Sequence, residues 1–536
     1  MDNDNSTVYE AFATTASKYP TRPVLNVLPG TADVYAIEPG EILYSAAFSQ
    51  INSLASALEA AGYVAGMRVA LLLENRPLFF ITWLALNKIG ASVVPINPDL
   101  RTVELEYLIG HSEPALIVAI ETRHAELSAA AEAAGIRLEV VTPGSKPPTP
   151  RANAVVTREQ SGEAREAAIL YTSGTTGKPK GCVLSNTYFL LAGSWYAEVG
   201  GIATLQNDDE RMITPLPIFH MNAMAYSFMA MVTVGGCLTV LDRFHPRNWW
   251  NDVREANATC LHYLGVMPTM LMDFDKSSAD TAHNVRFGFG AGVDPKLQIG
   301  FEERFGFPLV EAWAMTETGA GAIIAASTPN RLIAQASIGK PDTSVECKLV
   351  DENGSSVSQG ELLVRRAGDN PRYGFFSEYY KDVEATNEAW ADNWFHTGDI
   401  VRKDADGNYF FIDRKKNVIR RSGENISAVE VESVLMRHPD VSAAAVAAVP
   451  DKIRGDEVFA CLKVDQPSAD KAVAITTWCL EQMAYYKAPG YIAFVEQLPL
   501  TTTQKIQRAA LKDLAIELVD KPKTVVTAHL KKRQNS

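Results

Sequence analysis

One short segment, residues 171–181, combines the residue types that bind anions. Its sequence, Tyr-Thr-Ser-Gly-Thr-Thr-Gly-Lys-Pro-Lys-Gly, contains three glycines, four serine or threonine hydroxyls and two lysines. Glycine lets the backbone turn tightly and present several N–H groups to one point, while the hydroxyls add donors and the lysines add positive charge. An anion that needs so many donors is a polyphosphate, so the segment predicts a nucleotide site. The apolar runs 167–170 and 182–184 on either side predict a strand–loop–strand unit.

Two other patterns compete with this interpretation. The common P-loop requires G-x-x-x-x-G-K-[ST] before a helix, whereas here Gly174 and Gly177 are too close together and Pro179 follows the first lysine. A composition rich in Gly, Ser and Thr is also typical of flexible surface linkers. Linkers seldom place a Lys-Pro-Lys sequence between two apolar strands, and this favours phosphate binding.

The first 140 residues alternate helical and strand-like patterns that would position such a loop. Residues 48–61 and 78–89 have helical patterns, and residues 68–73, 91–95 and 115–119 are apolar runs typical of buried strands. Alternation of this kind predicts α/β layers built on largely parallel sheets. The pattern resumes after the phosphate loop.

Short strands and turn sequences replace this pattern from residue 337 onward. They predict a small β-rich subdomain over about 337–411, within a large N-terminal domain of residues 1–412. The charged stretch 413–416 predicts a hinge. Residues 417–536 then predict a smaller α+β domain. The predicted fold class is therefore α/β and α+β, with layered sheets in the first domain and a separate C-terminal domain.

Composition excludes several classes of protein. The chain has 536 residues, a net charge of −13 and a pI near 5.3, which argues against nucleic acid as a principal partner. The longest apolar run, residues 78–86, is shorter than the roughly 18 residues that a membrane span needs. The polar, acidic start of the chain predicts no secretory signal.

The six cysteines are scattered without a C-x-x-C pair, and the nine histidines show no H-x-x-x-H spacing. This pattern is typical of reduced, buried thiols and disfavours a disulfide framework or a transition-metal site. We therefore expect a cytoplasmic protein. A chain of this size is compatible with a homodimer, and nothing in the sequence requires one.

Six segments in order resemble the adenylate-forming superfamily of acyl-CoA synthetases, adenylation domains and luciferases, over essentially the whole chain. The phosphate loop matches the signature T-S-G-T-T-G-x-P-K-G of that family without a break. The other matches are residues 215–220 (Pro-Leu-Pro-Ile-Phe-His), 313–317 (Trp-Ala-Met-Thr-Glu), 396–399 (His-Thr-Gly-Asp), 413–432 (Asp-Arg through Glu) and 498–506 (Leu-Pro-Leu-Thr-Thr-Thr-Gln-Lys-Ile). Within the superfamily, residues 411–430 are most similar to crotonobetaine/carnitine–CoA ligases.

The resemblance implies a site for ATP. The loop would hold the β- and γ-phosphates, a glycine-rich turn would run under the adenine, an aromatic residue would stack on it, and an acid and a basic residue would bind the ribose. The residues at these positions are Thr172, Ser173, Gly174, Thr175, Thr176, Gly177, Lys180, Gly290, Ala291, Gly292, Trp313, Asp399 and Arg414. Trp313 replaces the usual tyrosine of the family, and an indole stacks equally well. A buried Trp in the core is the competing interpretation.

The resemblance also implies the groups that join a carboxylate to the α-phosphate of ATP. Thr316 would donate to the α-phosphate, Glu317 would be a Mg²⁺ ligand, and Lys505 would bridge the carboxylate and the α-phosphate. Without the resemblance, Thr316 and Glu317 would be interpreted as a helix N-cap and its first-turn acid. The chain departs from the family at Gln504 and Asp413, where glycine is usual. Gln504 puts a Cβ into a loop that normally lacks one.

A second half-reaction with coenzyme A follows from the same resemblance. Lys416 lies at the pivot position of the hinge, about which the C-terminal domain would rotate after adenylation. The rotation would present Arg420, Ser422, Gly423 and Glu424 to the pantetheine arm of coenzyme A. His220 would be the aromatic gate that closes the thiol tunnel until the adenylate has formed.

The predicted function is an ATP- and Mg²⁺-dependent acid–CoA ligase that releases AMP and pyrophosphate. Its acid is left open between a carnitine- or betaine-like molecule, an aryl acid and another small to medium carboxylic acid. Tyr226, Phe228, Trp195 and Trp313 suit a cation–π cage for a quaternary ammonium and equally a flat slot for an aromatic ring. The alternatives are an adenylation enzyme that loads a carrier protein and a homologue that binds nucleotide without turnover.

Overall fold

The structure, a computed structural model, describes residues 6–151, 154–156, 162–172, 179–207, 209–351, 353–414, 418–499 and 506–532, without the side chains of residues 413 and 414.

The helices of the described chain follow from apolar periodicity and from polar residues at their ends. Thr7 and Glu10 form a capping box at the first helix, each side chain accepting from the backbone N–H of the other at 3.1 Å. The helices are α1 (Val8–Lys18), α2 (Pro29–Tyr35), α3 (Tyr44–Ala61), α4 (Leu78–Lys88), α5 (Thr102–Ser112), α6 (His124–Ala133), α7 (Asn186–Glu198), α8 (Met229–Val234), α9 (Trp249–Glu255), α10 (Val266–Met272), α11 (Pro295–Phe305), α12 (Val383–Ala389), α13 (Ala428–Leu435), α14 (Ala469–Gln482) and α15 (Arg508–Leu518).

The strands of the described chain include all those expected from the apolar runs. They are β1 (Pro23–Val27), β2 (Gly40–Leu43), β3 (Arg68–Leu72), β4 (Ser92–Pro95), β5 (Leu116–Ala119), β6 (Val140–Val141), β7 (Glu166–Thr172), β8 (Lys180–Ser185), β9 (Arg211–Thr214), β10 (Cys237–Val240), β11 (Cys260–Leu264), β12 (Phe287–Ala291), β13 (Leu309–Trp313), β14 (Ile324–Ala325), β15 (Ser337–Pro341), β16 (Val345–Val350), β17 (Gln359–Arg366), β18 (Glu378–Tyr379), β19 (Trp390–Ala391), β20 (Trp394–Lys403), β21 (Tyr409–Arg414), β22 (Val418–Arg421), β23 (Glu424–Ser427), β24 (Val441–Asp451), β25 (Gly455–Val464), β26 (Tyr491–Phe494) and β27 (Thr524–Val526).

Two large sheets form the layers of the N-terminal part. In one, β1, β10, β9, β11, β12 and β13 are parallel neighbours, and in the other β7, β4, β3, β5 and β6 are. Helices α1, α3, α4, α7 and α8 contribute to a core shared by both sheets. The apolar run 78–86 lies in α4, which is buried on every side. The predicted fold class is confirmed.

The strands predicted as a small β-rich subdomain extend the larger sheet. Strand β15 pairs with both β14 and β21, so β16, β17, β20 and β21 continue the sheet from β13. Strand β18 pairs instead with β8 in the other sheet. The predicted segment 337–411 therefore connects the two sheets near the phosphate loop.

The C-terminal part has its own sheet and its own cores. Its strands run in the order β23-β22-β25-β26-β27, with β24 also paired to β25. Helices α13 and α14 cover one face of this sheet and α15 covers the other. Alternate residues of β24 and β25 face the two cores, as expected for a sheet buried on both sides.

No helix in the described ranges is long and apolar enough to cross a membrane. All six cysteines are free, and five of them are buried.

A core substitution tests whether the C-terminal part is stabilised by its own core. Ile475→Ala removes a fully buried side chain of α14. We expect it to lower the free energy of unfolding by about 2–5 kcal/mol, measured by urea unfolding of the full chain. The control Ile516→Ala, at a side chain 47% exposed on α15, changes it by less than about 0.5 kcal/mol. Equal effects of the two substitutions would contradict this description of the core.

Candidate active site

A cleft of about 790 Å³ lies where the carboxyl ends of the parallel strands meet the C-terminal sheet. Since parallel strands end at one edge, the loops after β9, β11, β12 and β13 converge there. The predicted site residues that line the cleft are Thr172, Lys180, His220, Gly290, Ala291, Thr316, Glu317, Arg420, Gly423 and Glu424.

The other predicted residues fall into two groups. Gly292, Trp313, Asp399 and Ser422 are sequence neighbours of lining residues, but they do not themselves line the cleft. The residues that lie outside the described part of the chain are Ser173, Gly174, Thr175, Thr176, Gly177, Lys416 and Lys505, together with the side chain of Arg414.

Strands β7 and β8 hold the two ends of the phosphate loop together. They are antiparallel neighbours, and Thr172 pairs with Lys180 at the point where the loop begins and ends. The Lys180 Nζ lies 3.8 Å from Asp382 Oδ2 and 4.8 Å from the ring centre of Tyr379. The predicted strand–loop–strand unit is present, with its second lysine at the rim of the cleft.

Thr316 and Glu317 lie in the loop after β13. The backbone N–H of Met315 donates to the hydroxyl of Thr318 at 3.0 Å, and a short 3₁₀ turn follows at Gly319–Gly321. The pair therefore does not begin an α-helix, and the capping interpretation is wrong. Glu317 is 8% exposed, and its Oε1 accepts from the hydroxyl of Tyr379 at 2.8 Å.

Tyr379 is a site residue that the sequence did not reveal. It reaches Glu317 because β18 pairs with β8 beside the phosphate loop. Burial and the nearby Glu317 carboxylate both raise the pKa of Tyr379, so the phenol stays protonated and donates. The two residues are 62 positions apart, and no local spacing signals the contact.

The glycine-rich turn after β12 is shaped by a buried acid. A Cβ on Gly290 would lie 2.1 Å from the carbonyl oxygen of Tyr263, and Gly292 has a φ of +80°. The Glu311 carboxylate accepts from the N–H groups of Gly292 at 2.8 Å and of Val293 at 3.3 Å. Burial raises the pKa of Glu311 despite these bonds. The turn thus requires glycine at both positions.

Trp313 and Asp399 contact each other behind the wall of the cleft. The indole N–H of Trp313 donates to Asp399 Oδ2 at 2.8 Å, and the two side chains are 6% and 1% exposed. The substitution of tryptophan for the usual tyrosine therefore couples the residue expected at the adenine to the residue expected at the ribose.

The hairpin formed by β22 and β23 inserts into the cleft from the C-terminal side. Ser422 and Gly423 form its two-residue turn with φ values of +50° and +89°, as in the turns that match strand twist. A Cβ on Gly423 would lie 2.3 Å from Leu264 Cδ1. Glu424 Oε1 lies 3.3 Å from His220 Nε2. The predicted gate residue thus contacts the predicted coenzyme A face.

An apolar wall closes the cleft beside the strand ends. Its lining includes Met221, Tyr226, Leu264, Phe289 and Ile323, none of which carries a formal charge. Tyr226 belongs to a π-helix, Asn222–Phe228, a rare element that is frequent at functional sites.

The four aromatic residues considered for a cation–π cage do not surround one space. Phe228 stacks on Phe80 at 4.1 Å, and Trp313 faces Asp399. Trp195 packs edge-on to Tyr226 at 5.9 Å, and only Tyr226 of the four lines the cleft. The described residues therefore form an apolar wall and not an aromatic cage.

A buried histidine supports the π-helix. His262 Nδ1 lies 2.7 Å from Asn222 Oδ1 and 2.9 Å from Ser227 Oγ, and its Nε2 lies 3.0 Å from the hydroxyl of Tyr196. Burial lowers the pKa of His262 to about 3, so the ring is neutral near pH 7. The neutral ring therefore stabilises the π-helix behind the apolar wall through these polar contacts.

Comparison with known proteins agrees with this geometry. Residues 12–380 match the AMP-binding enzyme family, and residues 430–505 match the AMP-binding enzyme C-terminal domain. The chain is 30% identical over 490 residues to the crotonobetaine/carnitine–CoA ligase of Salmonella paratyphi B, which covers 88% of this chain and 92% of that protein.

Solved structures share the fold over nearly the whole chain. A double mutant of o-succinylbenzoate CoA synthetase from Bacillus subtilis, bound to its product analogue, superposes with a TM-score of 0.78 at 23% identity, covering 94% of this chain and 98% of that chain. The same enzyme in complex with its acyl-adenylate intermediate gives 0.63 at the same identity and coverage. The chain therefore belongs to the AMP-binding enzyme family, and the predicted class, an AMP-forming acid–thiol ligase of the adenylate-forming superfamily, is confirmed.

Proposed function

We propose that the protein joins a carboxylic acid to coenzyme A in two half-reactions in one cleft. In the first, a carboxylate oxygen attacks the α-phosphorus of ATP, and the bond to pyrophosphate breaks. In the second, the thiol of coenzyme A attacks the acyl carbon and AMP leaves. The observation that carries this proposal is the β22–β23 hairpin, which lies in the same cleft as Lys180 and Glu317 and contacts His220 through Glu424.

The described residues fit ATP. Two anions must meet in the first half-reaction, so positive charge and oriented donors are the main requirement. Lys180 supplies positive charge and Thr316 a hydroxyl in the same cleft. The glycine turn 290–292 offers a surface without side-chain bulk, because a Cβ at Gly290 has no room. These features support binding of the phosphates and the adenine at neighbouring points of one edge.

Glu317 fits Mg²⁺, which on phosphates usually takes only one or two protein carboxylates. Tyr379 orients the carboxylate by donating to one of its oxygens at 2.8 Å, and this hydroxyl adds no positive charge. When bound, the ion neutralises phosphate charge as the pyrophosphate departs. The described residues contain no group of three or more potential metal-ligating side chains, and this is compatible with an ion held chiefly by the substrate.

The hairpin fits the pantetheine arm of coenzyme A. The Oδ1 atom of Asn425 is buried at the cleft without a hydrogen-bond partner among the described residues. A buried acceptor of this kind is costly unless a ligand supplies a donor, and the arm carries two amide N–H groups. Gly423 lets the hairpin approach Leu264 closely at the wall of the cleft.

The placement of the C-terminal domain supports the interpretation that the structure is in the state for the second half-reaction. Superposition over a whole two-domain chain depends on how the domains are placed. The TM-score is 0.78 with the relative bound to its product analogue and 0.63 with the same enzyme bound to its acyl-adenylate. The contact between Glu424 and His220 is in accord with this difference.

We propose an acid with an uncharged acyl group as the substrate, because the wall at Tyr226 and Phe289 is apolar. A carnitine- or betaine-like acid is the second candidate, and it is favoured by the name of the relative that is 30% identical. Both candidates use the same two half-reactions.

Release of AMP tests the function. The protein is supplied with ATP, Mg²⁺ and coenzyme A and with one acid at a time from a panel of aryl acids, short and medium aliphatic acids and betaines. We expect acid-dependent AMP and acyl-CoA, with the highest kcat/KM for an uncharged acid. Highest activity with a betaine would favour the second candidate. If the acyl group is transferred only to a carrier-protein thiol, the acceptor is the carrier protein and not coenzyme A. If no acid gives acid-dependent AMP, the proposed function is wrong.

Removal of the predicted catalytic lysine separates the half-reactions. Lys505→Ala is expected to lower pyrophosphate release at least a hundredfold, since it removes the charge that bridges two anions. Attack of coenzyme A on a supplied acyl-adenylate should change less than about threefold. The control Lys521→Ala removes an exposed lysine and should leave both rates unchanged. An equal fall in both half-reactions would show that the role assigned to Lys505 is wrong.

Removal of the Tyr379 hydroxyl tests the metal site. Tyr379→Phe keeps the ring near Lys180 but loses the donor to Glu317, so the carboxylate is less well oriented. Partners that orient a metal ligand typically contribute tenfold or more in metal affinity, and we expect the Mg²⁺ concentration for half-maximal adenylation to rise about tenfold. The control Tyr380→Phe removes the hydroxyl of the neighbouring tyrosine, whose ring packs against Arg68, and should leave the Mg²⁺ dependence unchanged. An unchanged Mg²⁺ dependence in Tyr379→Phe would contradict the assignment of Glu317.

A further inference from the structure

A buried lysine of the C-terminal domain is paired with carboxylates from both domains. The Nζ of Lys487 lies 2.5 Å from Glu104 Oε1 and 2.6 Å from Glu430 Oε1. Glu104 belongs to α5 of the N-terminal part and Glu430 to α13 of the C-terminal part. The side chains of Lys487 and Glu104 are only 6% and 9% exposed, so this ion pair is largely shielded from water.

Glu104 is fixed on its own helix before it meets Lys487. Its Oε2 accepts from the backbone N–H of Arg101 at 2.9 Å, which satisfies a free donor at the start of α5. The same oxygen accepts from the backbone N–H of Ala484 at 2.9 Å. Beside it, the amide of Asn97 donates to the hydroxyl of Tyr486 at 3.1 Å. The segment 484–487 of the C-terminal domain thus docks against the start of α5.

The charges make this docking reversible. Burial alone would lower the pKa of Lys487, but the two carboxylates raise it above its ordinary value, so the lysine is charged. Breaking a buried ion pair is costly when it leaves a charge without a partner. Here Glu430 moves with Lys487, because both belong to the C-terminal domain. When the domains separate, Lys487 keeps Glu430 and loses Glu104. The hydrogen bonds from Ala484 to Glu104 and from Asn97 to Tyr486 are lost as well.

We propose that Glu104 and Lys487 form a latch that holds the C-terminal domain in the orientation for the thioester-forming half-reaction. The proposal rests on the two half-reactions described under Proposed function. Glu104 is in this view a positioning residue: it sets the fraction of molecules in which the hairpin 418–427 lies in the cleft. Loss of the latch slows the second half-reaction, because fewer molecules present the hairpin, and does not slow the first.

The variant Glu104→Gln removes the charge and keeps the cap. Glutamine at the third position of a helix also accepts from the backbone at the start of the helix, so α5 retains its N-terminus. The matched control is Glu126→Gln, which removes the partner of Arg123 (2.8 Å) in an ion pair inside the N-terminal domain. Thermal unfolding of both variants establishes that each is folded under the assay conditions.

The two half-reactions are measured separately by rapid quench in the full-length enzyme. Pyrophosphate release without coenzyme A reports the first, and attack of saturating coenzyme A on preformed acyl-adenylate reports the second. For Glu104→Gln we expect the second rate to fall about tenfold, a difference of about 1.4 kcal/mol, and the first rate to stay within twofold or rise. Glu126→Gln should leave both rates at the wild-type values.

Each other outcome overturns the latch. Equal losses in both half-reactions of a folded Glu104→Gln protein would show a general structural role for the ion pair. Unchanged rates would show that the pair does not bias the domains. If the wild-type protein makes no acid-dependent AMP, the proposed function itself fails, and this result is distinct from either outcome in the variant.

Discussion

The hairpin turn at Gly423, which lies against Leu264, brings the C-terminal part of the chain into the cleft. A Cβ at this glycine would come within 2.3 Å of a terminal methyl of the leucine, so a side chain there would require the leucine to move. The φ of +89° at Gly423 also favours glycine, whereas Ser422 adopts a φ of +50°. The tight turn lets a separate domain reach the carboxyl edge of the parallel strands, where the residues predicted to bind ATP converge. Glu424 then reaches His220 from that position, and Lys487 reaches Glu104.

Local patterns predicted the elements and the residues that those elements carry. The apolar run 68–73 gave a buried strand, the run 78–86 gave a buried helix, and the two runs beside the phosphate loop gave an antiparallel pair. Rules for parallel sheets then explain why Gly290 and Thr316 line the same cleft. The β-rich segment was identified as β-rich, but its joining to both sheets was not foreseen, because strand pairing across long separations has no signature within either strand.

Contacts between residues that are far apart in the sequence could not be predicted from the sequence. Tyr379 and Glu317 are 62 positions apart, and Lys487 and Glu104 are 383 apart. A lone tyrosine or lysine is usually interpreted as a core or solvated residue, and its partner becomes visible only when the sheets and domains are assembled. The cation–π cage illustrates the converse. The four aromatic residues considered for the cage pack against different neighbours in the structure, as Phe228 does against Phe80.

The buried carboxylates differ in the charge of the group that donates a hydrogen bond to them. A neutral donor leaves the negative charge in place, whereas an ammonium cancels it. Glu317 accepts from a phenol and Asp399 from an indole, and neither of these donors carries a positive charge. Glu104 instead pairs with the ammonium group of Lys487 from the other domain, so its charge stabilises the docking of the two domains. Tryptophan at position 313 has an N–H that reaches Asp399 from the ring expected at the adenine, so a neutral donor orients the acid expected at the ribose.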